Sequence, residues 1–364
     1  MKIKEITSYL ESLAPRSSQE SYDNSGLIVG NPNDDVTSAL ISLDCIESTI
    51  DEAIANNCQM VIAHHPIVFK GLKKLNGTDY VQRTVLKAIK NDIAIYAIHT
   101  NLDNYRFGVN HKIGEKIGLE NLQVLSPKSS VLQKLTVFVP SDHAESVRKA
   151  MFSAGAGRIG DYDQASFNVS GNGTYRPLEG SNAYEGTVGE QSQVDEIRIE
   201  CVVSNHLSSS VVRAMISAHP YEEVAYDLVQ LQNVNRYEGS GMVGDLASPI
   251  NAIDFLNHIK STFDCGVVRH TKLIEKPIER VAFCGGSGSF LLRNAKAAGA
   301  DVYVTADFKY HEFFDAEDDI IIADIGHYES EQFTSDLLKE ILTKKFPTFA
   351  VRLTEVNTNP INYL

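Results

Sequence analysis

The chain has 364 residues, with 33 Lys and Arg against 47 Asp and Glu, a formal net charge of −14 at pH 7. Hydrophobic residues make up 43% and charged residues 22%, an average globular composition that excludes disordered, collagen-like and fibrous classes. The length fits two or three domains, no apolar run reaches the roughly 18 residues of a membrane span, and the acidic balance argues against nucleic acid or an anionic membrane held by bulk charge. A cytoplasmic protein is expected, with the opening MKIKEITSYLESL read as a polar-faced helix rather than a signal peptide.

Up to about residue 125, short apolar runs alternate with amphipathic stretches. Strands are predicted at Gly26 to Val29, Ala39 to Leu43, Met60 to Ala63 and Ile93 to Ile98. Helices are predicted at Glu47 to Asn57, Asp79 to Lys90 and Phe107 to Ile117, the last stopped by Gly118. Such alternation implies parallel strands with helical crossovers. The middle of the chain reads differently. Lys134 to Val139, Glu196 to Val203 and Val224 to Val229 are strands, Ala144 to Ala154 and Ser208 to Ala218 are helices, and Ser166 to Gly189 is a flexible loop or extended hairpin. Two rounds of strand, helix and β-rich return suggest an inserted ferredoxin-like α+β domain, residues 127–238, within an outer α/β body of residues 1–126 and 239–364. The α/β pattern resumes with a helix at Asn251 to Phe263, strands at Arg280 to Cys284, Asp301 to Val304 and Asp319 to Asp324, and helices at Phe290 to Ala298 and Ser330 to Lys344. Five scattered cysteines without a CxxC pair read as reduced core thiols.

Chemistry concentrates where strands end. Met60 to Ala63 runs into His64-His65-Pro66, Ile93 to Ile98 into His99-Thr100-Asn101-Leu102-Asp103, and Asp319 to Asp324 toward His327 and Glu331. Open α/β sheets place their sites at this edge. Pro66 holds His65 extended, so the paired imidazoles diverge, which suits two ions better than one. His327 and Glu331, four apart, share a helix face. Three His, one Asp and one Glu match zinc, iron or manganese better than calcium or magnesium.

Taken singly, each feature has a plainer reading. With 11 histidines in the chain, one adjacent pair means little; His327 and Glu331 read alone as a solvated pair, and Asp103 as a helix cap. Their shared position after strands favours a metal site. Gly285-Gly286-Ser287-Gly288-Ser289 follows a strand and opens a helix, either a phosphate cradle or an ordinary tight turn. His99, Asp307 and His311 are candidates for orienting partners of ligands or for a proton relay. Asp44 reads as a cap, Tyr221, Glu222 and Glu223 as a turn and solvated face, and Asp315 to Asp319 as a solvated loop.

Tyr22-Asp23-Asn24-Ser25-Gly26-Leu27, Ala63-His64-His65-Pro66, His99-Thr100-Asn101-Leu102-Asp103, Thr305-Ala306-Asp307 and Gly326-His327-Tyr328-Glu329-Ser330-Glu331 together resemble the NIF-three-like family, also called type-two GTP cyclohydrolase I homologues. With His219-Pro220-Tyr221-Glu222-Glu223, the resemblance spans most of the chain. It implies that His64, His65, Asp103, His327 and Glu331 ligate a dinuclear centre, that the insert is a PII/CutA-like domain, and that the protein forms toroidal homohexamers. Tyr22 stands where many relatives carry an indole, and Ala306 where glycine is usual.

The expected function is therefore a metal-dependent hydrolase of a nucleotide or related heterocycle, cyclohydrolase-like by resemblance. It would carry two divalent ions per chain, zinc first with iron or manganese as alternatives, bridged by Asp103 or Glu331. The alternative is a metal-stabilised regulatory hexamer whose insert senses a small molecule. A ring threading nucleic acid would need a Lys- and Arg-lined pore, which the −14 charge disfavours.

Overall fold

A computed structural model describes residues 1–364. The strands in chain order are β1 (Gly26–Val29), β2 (Ser38–Ser42), β3 (Met60–Ala63), β4 (Ala94–Ala97) and β5 (Leu119–Lys128). There follow β6 (Leu132–Pro140), β7 (Phe167–Tyr175), β8 (Ser192–Ser204), β9 (Tyr226–Gln230) and β10 (Asn235–Ile250). The last are β11 (Arg269–His270), β12 (Ile278–Ser287), β13 (Val302–Ala306), β14 (Ile321–Asp324) and β15 (Ala350–Leu353). The chain packs as two compact units, Met1–Pro127 with Arg236–Leu364, and Lys128–Asn235.

The larger unit contains two sheets, ordered β1-β4-β3-β2-β15 and β11-β14-β13-β12-β10-β5. Their centres are parallel, with β2, β3 and β4 in one and β12, β13 and β14 in the other. The all-parallel expectation fails outside these centres: β1 runs antiparallel to β4, β10 to β12, and β11 to β14. Hydrophobic runs report burial, not direction, so these strands were open to either pairing.

Burial on both faces explains why the central strands are unbroken apolar runs. Leu40, Val61, Ala63 and Ile95 pack against Ile50 and Ala53 of the helix Glu47–Ala55 and Val85 and Ala88 of the helix Tyr80–Lys90. Alternate residues Ala39, Ile41, Met60, Ile62 and Tyr96 point the other way, into the core shared with Phe283, Val304 and Ile321 of the second sheet. Asp79 caps the helix Tyr80–Lys90 by accepting from the Gln82 N–H, and Gly118, at φ 84°, ends the helix Val109–Ile117 in the left-handed conformation. The expected helix Ser330 to Lys344 is two helices, His327–Glu331 and Thr334–Lys345.

The smaller unit runs β6, helix Ala144–Ser153, β7, β8, helix Ser208–Ala218, β9, and its antiparallel sheet is ordered β7-β8-β6-β9. Leu135, Val137, Ile199 and Cys201 face Val147, Met151, Val211 and Met215 of the two helices. All five cysteines are buried and free. No helix is long and apolar enough to cross a membrane.

Candidate metal centre

The C-terminal ends of β3, β4 and β14 open onto one cleft of about 900 Å3 in the larger unit. His64 and His65 follow β3 directly, His99 and Asp103 follow β4, and Gly326, at φ 95°, turns the chain after β14 into the short helix that carries His327 and Glu331. The structure brings all six of these side chains together. Candidate ligand atoms lie within 4.8 Å of one another in three overlapping groups: His64, Asp103 and Glu331; His65, His327 and Glu331; and His64, His65 and His99.

Each imidazole is held by its Nδ1. His64 Nδ1 donates to the Ile98 carbonyl at 2.8 Å, His65 Nδ1 meets Asp44 Oδ1 at 2.8 Å, His99 Nδ1 meets Asp23 Oδ1 at 2.8 Å, and His327 Nδ1 meets Asp307 Oδ2 at 2.7 Å. An acceptor on Nδ1 fixes ring orientation and aims Nε2 at a cation, the usual outer support of metal-binding histidines. Glu331 receives two of these rings on one oxygen, with Oε2 at 2.9 Å from His65 Nε2 and 3.1 Å from His327 Nε2. Its other oxygen, Oε1, lies 3.8 Å from His64 Nε2, and Asp103 Oδ1 lies 3.6 Å from the same nitrogen.

The Ile98 carbonyl only accepts, so His64 Nδ1 carries a hydrogen, and Nε2 faces two carboxylate oxygens. His64 Nε2 and Asp103 Oδ1 are both buried without a hydrogen-bond partner. Buried polar atoms without a partner are costly, and a cation beside both would satisfy them, so this donor set fits a metal ion.

The titration behaviour carries the same mark. Burial and the Glu331 charge push Asp103 up to about 8. Burial would lower His65, but its hydrogen bonds to Asp44 and Glu331 outweigh that and raise it to about 9. The same balance, with Asp307 and Glu331, raises His327 to about 11. Burial would raise Glu331, yet His327, His64 and His65 hold it well below the ordinary carboxylate range. Without an ion, protons on His65 and His327 supply the missing positive charge.

Asp307, which follows β13, contacts His327 Nδ1, whereas His311 is exposed, lies edge-on to Tyr310, stacks on Phe314, and stands outside the three groups. His99 is nearer than an orienting residue, its ring centroid 5.3 Å from those of both His64 and His65. Asp44 does not merely end a strand: it holds His65 and is itself held by the Thr358 hydroxyl at 2.7 Å. Asp23, which also accepts from the Thr100 N–H at 3.0 Å, had no assigned role; only its quoted motif beside Tyr22 pointed to it. The first two N–H groups of the glycine-rich segment are not free to cradle a phosphate. Gly285 and Gly286 lie within β12, and their N–H groups already donate to Asn110 Oδ1 at 3.0 Å and Ser330 Oγ at 2.9 Å.

Comparison with known proteins extends this geometry. The Duf34/NIF3 (NGG1p interacting factor 3) family description matches residues 1–360. The chain is 38% identical over 364 residues to a GTP cyclohydrolase 1 type 2 homolog of Halalkalibacterium halodurans, covering 99% of this chain and 98% of that one. It is 36% identical over 371 residues to the protein of the same name from Bacillus subtilis, again covering 99% and 98%. A crystal structure of a Bacillus cereus protein related to NIF3 superposes with a TM-score of 0.87 at 38% identity, covering 100% of this chain and 99% of that one. The chain therefore belongs to the DUF34/NIF3 family.

Proposed function

We propose that the cleft is a dinuclear metal centre and that the protein is a metal-dependent hydrolase of a planar heterocycle. The observation that carries this reading is the pair of buried, unpartnered polar atoms His64 Nε2 and Asp103 Oδ1, beside a Glu331 whose two oxygens face different histidines. One ion would be held by His64, Asp103 and Glu331, the other by His65, His327 and Glu331, so Glu331 would be shared by both. The donor set suits zinc, with iron or manganese as alternatives. Two such ions would supply an activated water at neutral pH and polarise the bond under attack.

The chain's own residues do the rest. Asp44, Asp23 and Asp307 fix the rings, and His99, beside both His64 and His65, is placed to pass a proton to the leaving group. Tyr22 and Phe69, both exposed with ring centroids 6.1 Å apart, form an aromatic wall of the cleft on which a flat ring can stack.

The cleft also limits the substrate. Glu20, Asp44, Asp103 and Glu331 line it, and no Lys or Arg does. With Asp23 and Asp307 behind the histidines, six carboxylates face the four positive charges of two divalent ions. A triphosphate needs compensating cations that this wall does not provide. The reading is therefore hydrolysis of an uncharged or weakly charged heterocycle, a cyclohydrolase type of chemistry in keeping with the names of the relatives, but not turnover of a nucleoside triphosphate.

The unit Lys128–Asn235 is proposed as a separate inserted domain of the PII/CutA type, and the assembly as a homohexamer in the cytoplasm; sedimentation velocity tests the latter. The function is tested by anaerobic purification with elemental analysis, followed by a hydrolysis screen of free heterocycles, nucleosides and nucleoside triphosphates. Metal-dependent turnover confined to the unphosphorylated compounds is expected. A fully metallated protein inactive on all three classes would sink the hydrolase reading.

A further inference from the structure

The smaller unit holds a cavity of its own, about 710 Å3, which the metal chemistry does not use. Its floor is the sheet face opposite the helices. On β8, Ile197 and Ile199 turn toward the helical core, so the alternating Glu196 and Arg198 face outward, opposite Gly171 and Val169 of β7. The hollow exists because β7 has glycine at 171 and 173. A Cβ at Gly171 would meet open space, and one at Gly173 would strike the Glu196 carboxylate.

Of the stretch Ser166 to Gly189, expected to be a flexible loop or extended hairpin, Phe167–Tyr175 is β7, and the residues that follow, 176–191, form a tied roof. Tyr175 Oη donates to the Glu185 carbonyl at 2.8 Å, the Asn182 N–H donates to Glu222 Oε1 at 2.9 Å, and Tyr184 Oη pairs with His143 Nε2 at 3.0 Å. Three tyrosine rings thereby surround one space, with the centroid of Tyr221 lying 5.9 Å from that of Tyr175 and 5.9 Å from that of Tyr184 at interplanar angles of 65° and 47°. Beneath them is Glu196, only 9% exposed. Tyr221 Oη donates to its Oε1 at 3.0 Å, while its Oε2 accepts no hydrogen bond within the chain. Glu222 and Glu223 line the same cavity with Arg176 and Arg198, so with Glu196 three carboxylates face two guanidiniums, of which Arg198 pairs with Glu200, a carboxylate shared with Lys134.

Inclined aromatic rings over an almost buried carboxylate with a free oxygen make a receptor for a cation carried on an apolar body. Ring faces attract an ammonium within about 6 Å of the centroid, and desolvation strengthens both that attraction and the carboxylate's. We infer that this cavity binds a small organic amine, with its ammonium between Glu196 Oε2 and the Tyr175, Tyr184 and Tyr221 rings and its alkyl portion against Val169 and Leu178. The inference is independent of the metal centre.

The test is calorimetric titration of the full chain with three probes of similar length: putrescine, 1,4-butanediol and succinate. Putrescine should bind saturably, once per chain, while the diol and the diacid neither bind nor compete. Glu196→Gln, which keeps the shape, and Gly171→Leu, which fills the hollow, should each weaken putrescine by about tenfold or more. Tyr184→Leu, on the exposed roof where folding is not at stake, should weaken it several-fold. No saturable putrescine binding, or binding unchanged in Glu196→Gln and Tyr184→Leu, overturns the inference. Equal binding of the diol would make the site merely apolar, and preferential binding of succinate would make it an anion site built on Arg176 and Arg198; either result also overturns it.

Discussion

His64 Nε2 and Asp103 Oδ1 face each other across 3.6 Å, both buried and neither hydrogen-bonded. A cation beside both would satisfy them, and the consequences reach stability, proton balance and metal content together.

Asp103→Asn puts an amide donor opposite His64 Nε2. In chelator-treated protein above pH 8, where the Asp103 carboxyl is ionised, this variant should be more stable than the parent by about 1–3 kcal/mol, the usual cost of an unsatisfied buried polar group. With metal present the order should reverse, because the ligand charge is gone. Thermal melts of both proteins with and without chelator read the crossover.

Metal uptake should release protons. At pH 7, Asp103 at about 8, His65 at about 9 and His327 at about 11 are all protonated without an ion, so about three protons must leave when the ligands bind cations. For the ion-free protein all three folded-state values lie above their unfolded ones. Their stabilising contribution is therefore full at low pH and is lost as pH rises, first through 8 for Asp103, then through 9 and 11 for the histidines. Metal-induced stabilisation should accordingly grow from pH 6 to pH 9. Calorimetry in buffers of different ionisation enthalpy counts the protons.

Gly286 sits at φ 60°, and a Cβ there would collide with Glu331 Oε1. Gly286→Ala should cost about 1–2 kcal/mol for the left-handed backbone alone. It should also lower the metal content of both positions, because the bridging carboxylate is displaced. Elemental analysis separates this from a purely conformational effect, which would leave metal content unchanged.

In the smaller unit, His219 Nε2 contacts the Phe138 carbonyl at 2.9 Å and His219 Nδ1 accepts from the Tyr221 N–H at 3.0 Å, so the ring is held neutral. Burial, the largest influence, lowers its pKa below 6.5. A folded-state value below the unfolded one means stability is lost as pH falls through the unfolded value, since protonation breaks the Tyr221 contact. Hydrogen-exchange protection of the amides in β6 and β9, measured relative to the intrinsic exchange rate at each pH, should fall between pH 7 and pH 5, and His219→Gln should flatten that dependence.

The ends of β3, β4 and β14 were legible because a buried apolar run followed at once by His or a carboxylate can be read locally. The outer support was not. Asp23 lies 76 residues from His99 and Asp44 lies 21 residues from His65, so only the folded sheet pairs them. The partners of Gly285 and Gly286 were hidden for the same reason, since Asn110 and Ser330, which occupy their N–H groups, are 175 and 44 residues away. β5 and β10 went unread because β10 is rich in Gly and polar residues, and an antiparallel ladder supplies hydrogen bonds that no hydrophobic run announces.

The central claim is that Glu331 bridges two ions. Crystals of protein purified anaerobically with its metal, measured at the absorption edges of zinc, iron and manganese, test it most directly. The account expects two anomalous peaks, one among His64, Asp103 and Glu331 and one among His65, His327 and Glu331. A single peak held by His64, His65 and His99 without Glu331, or no peak in protein saturated with these metals, would contradict it.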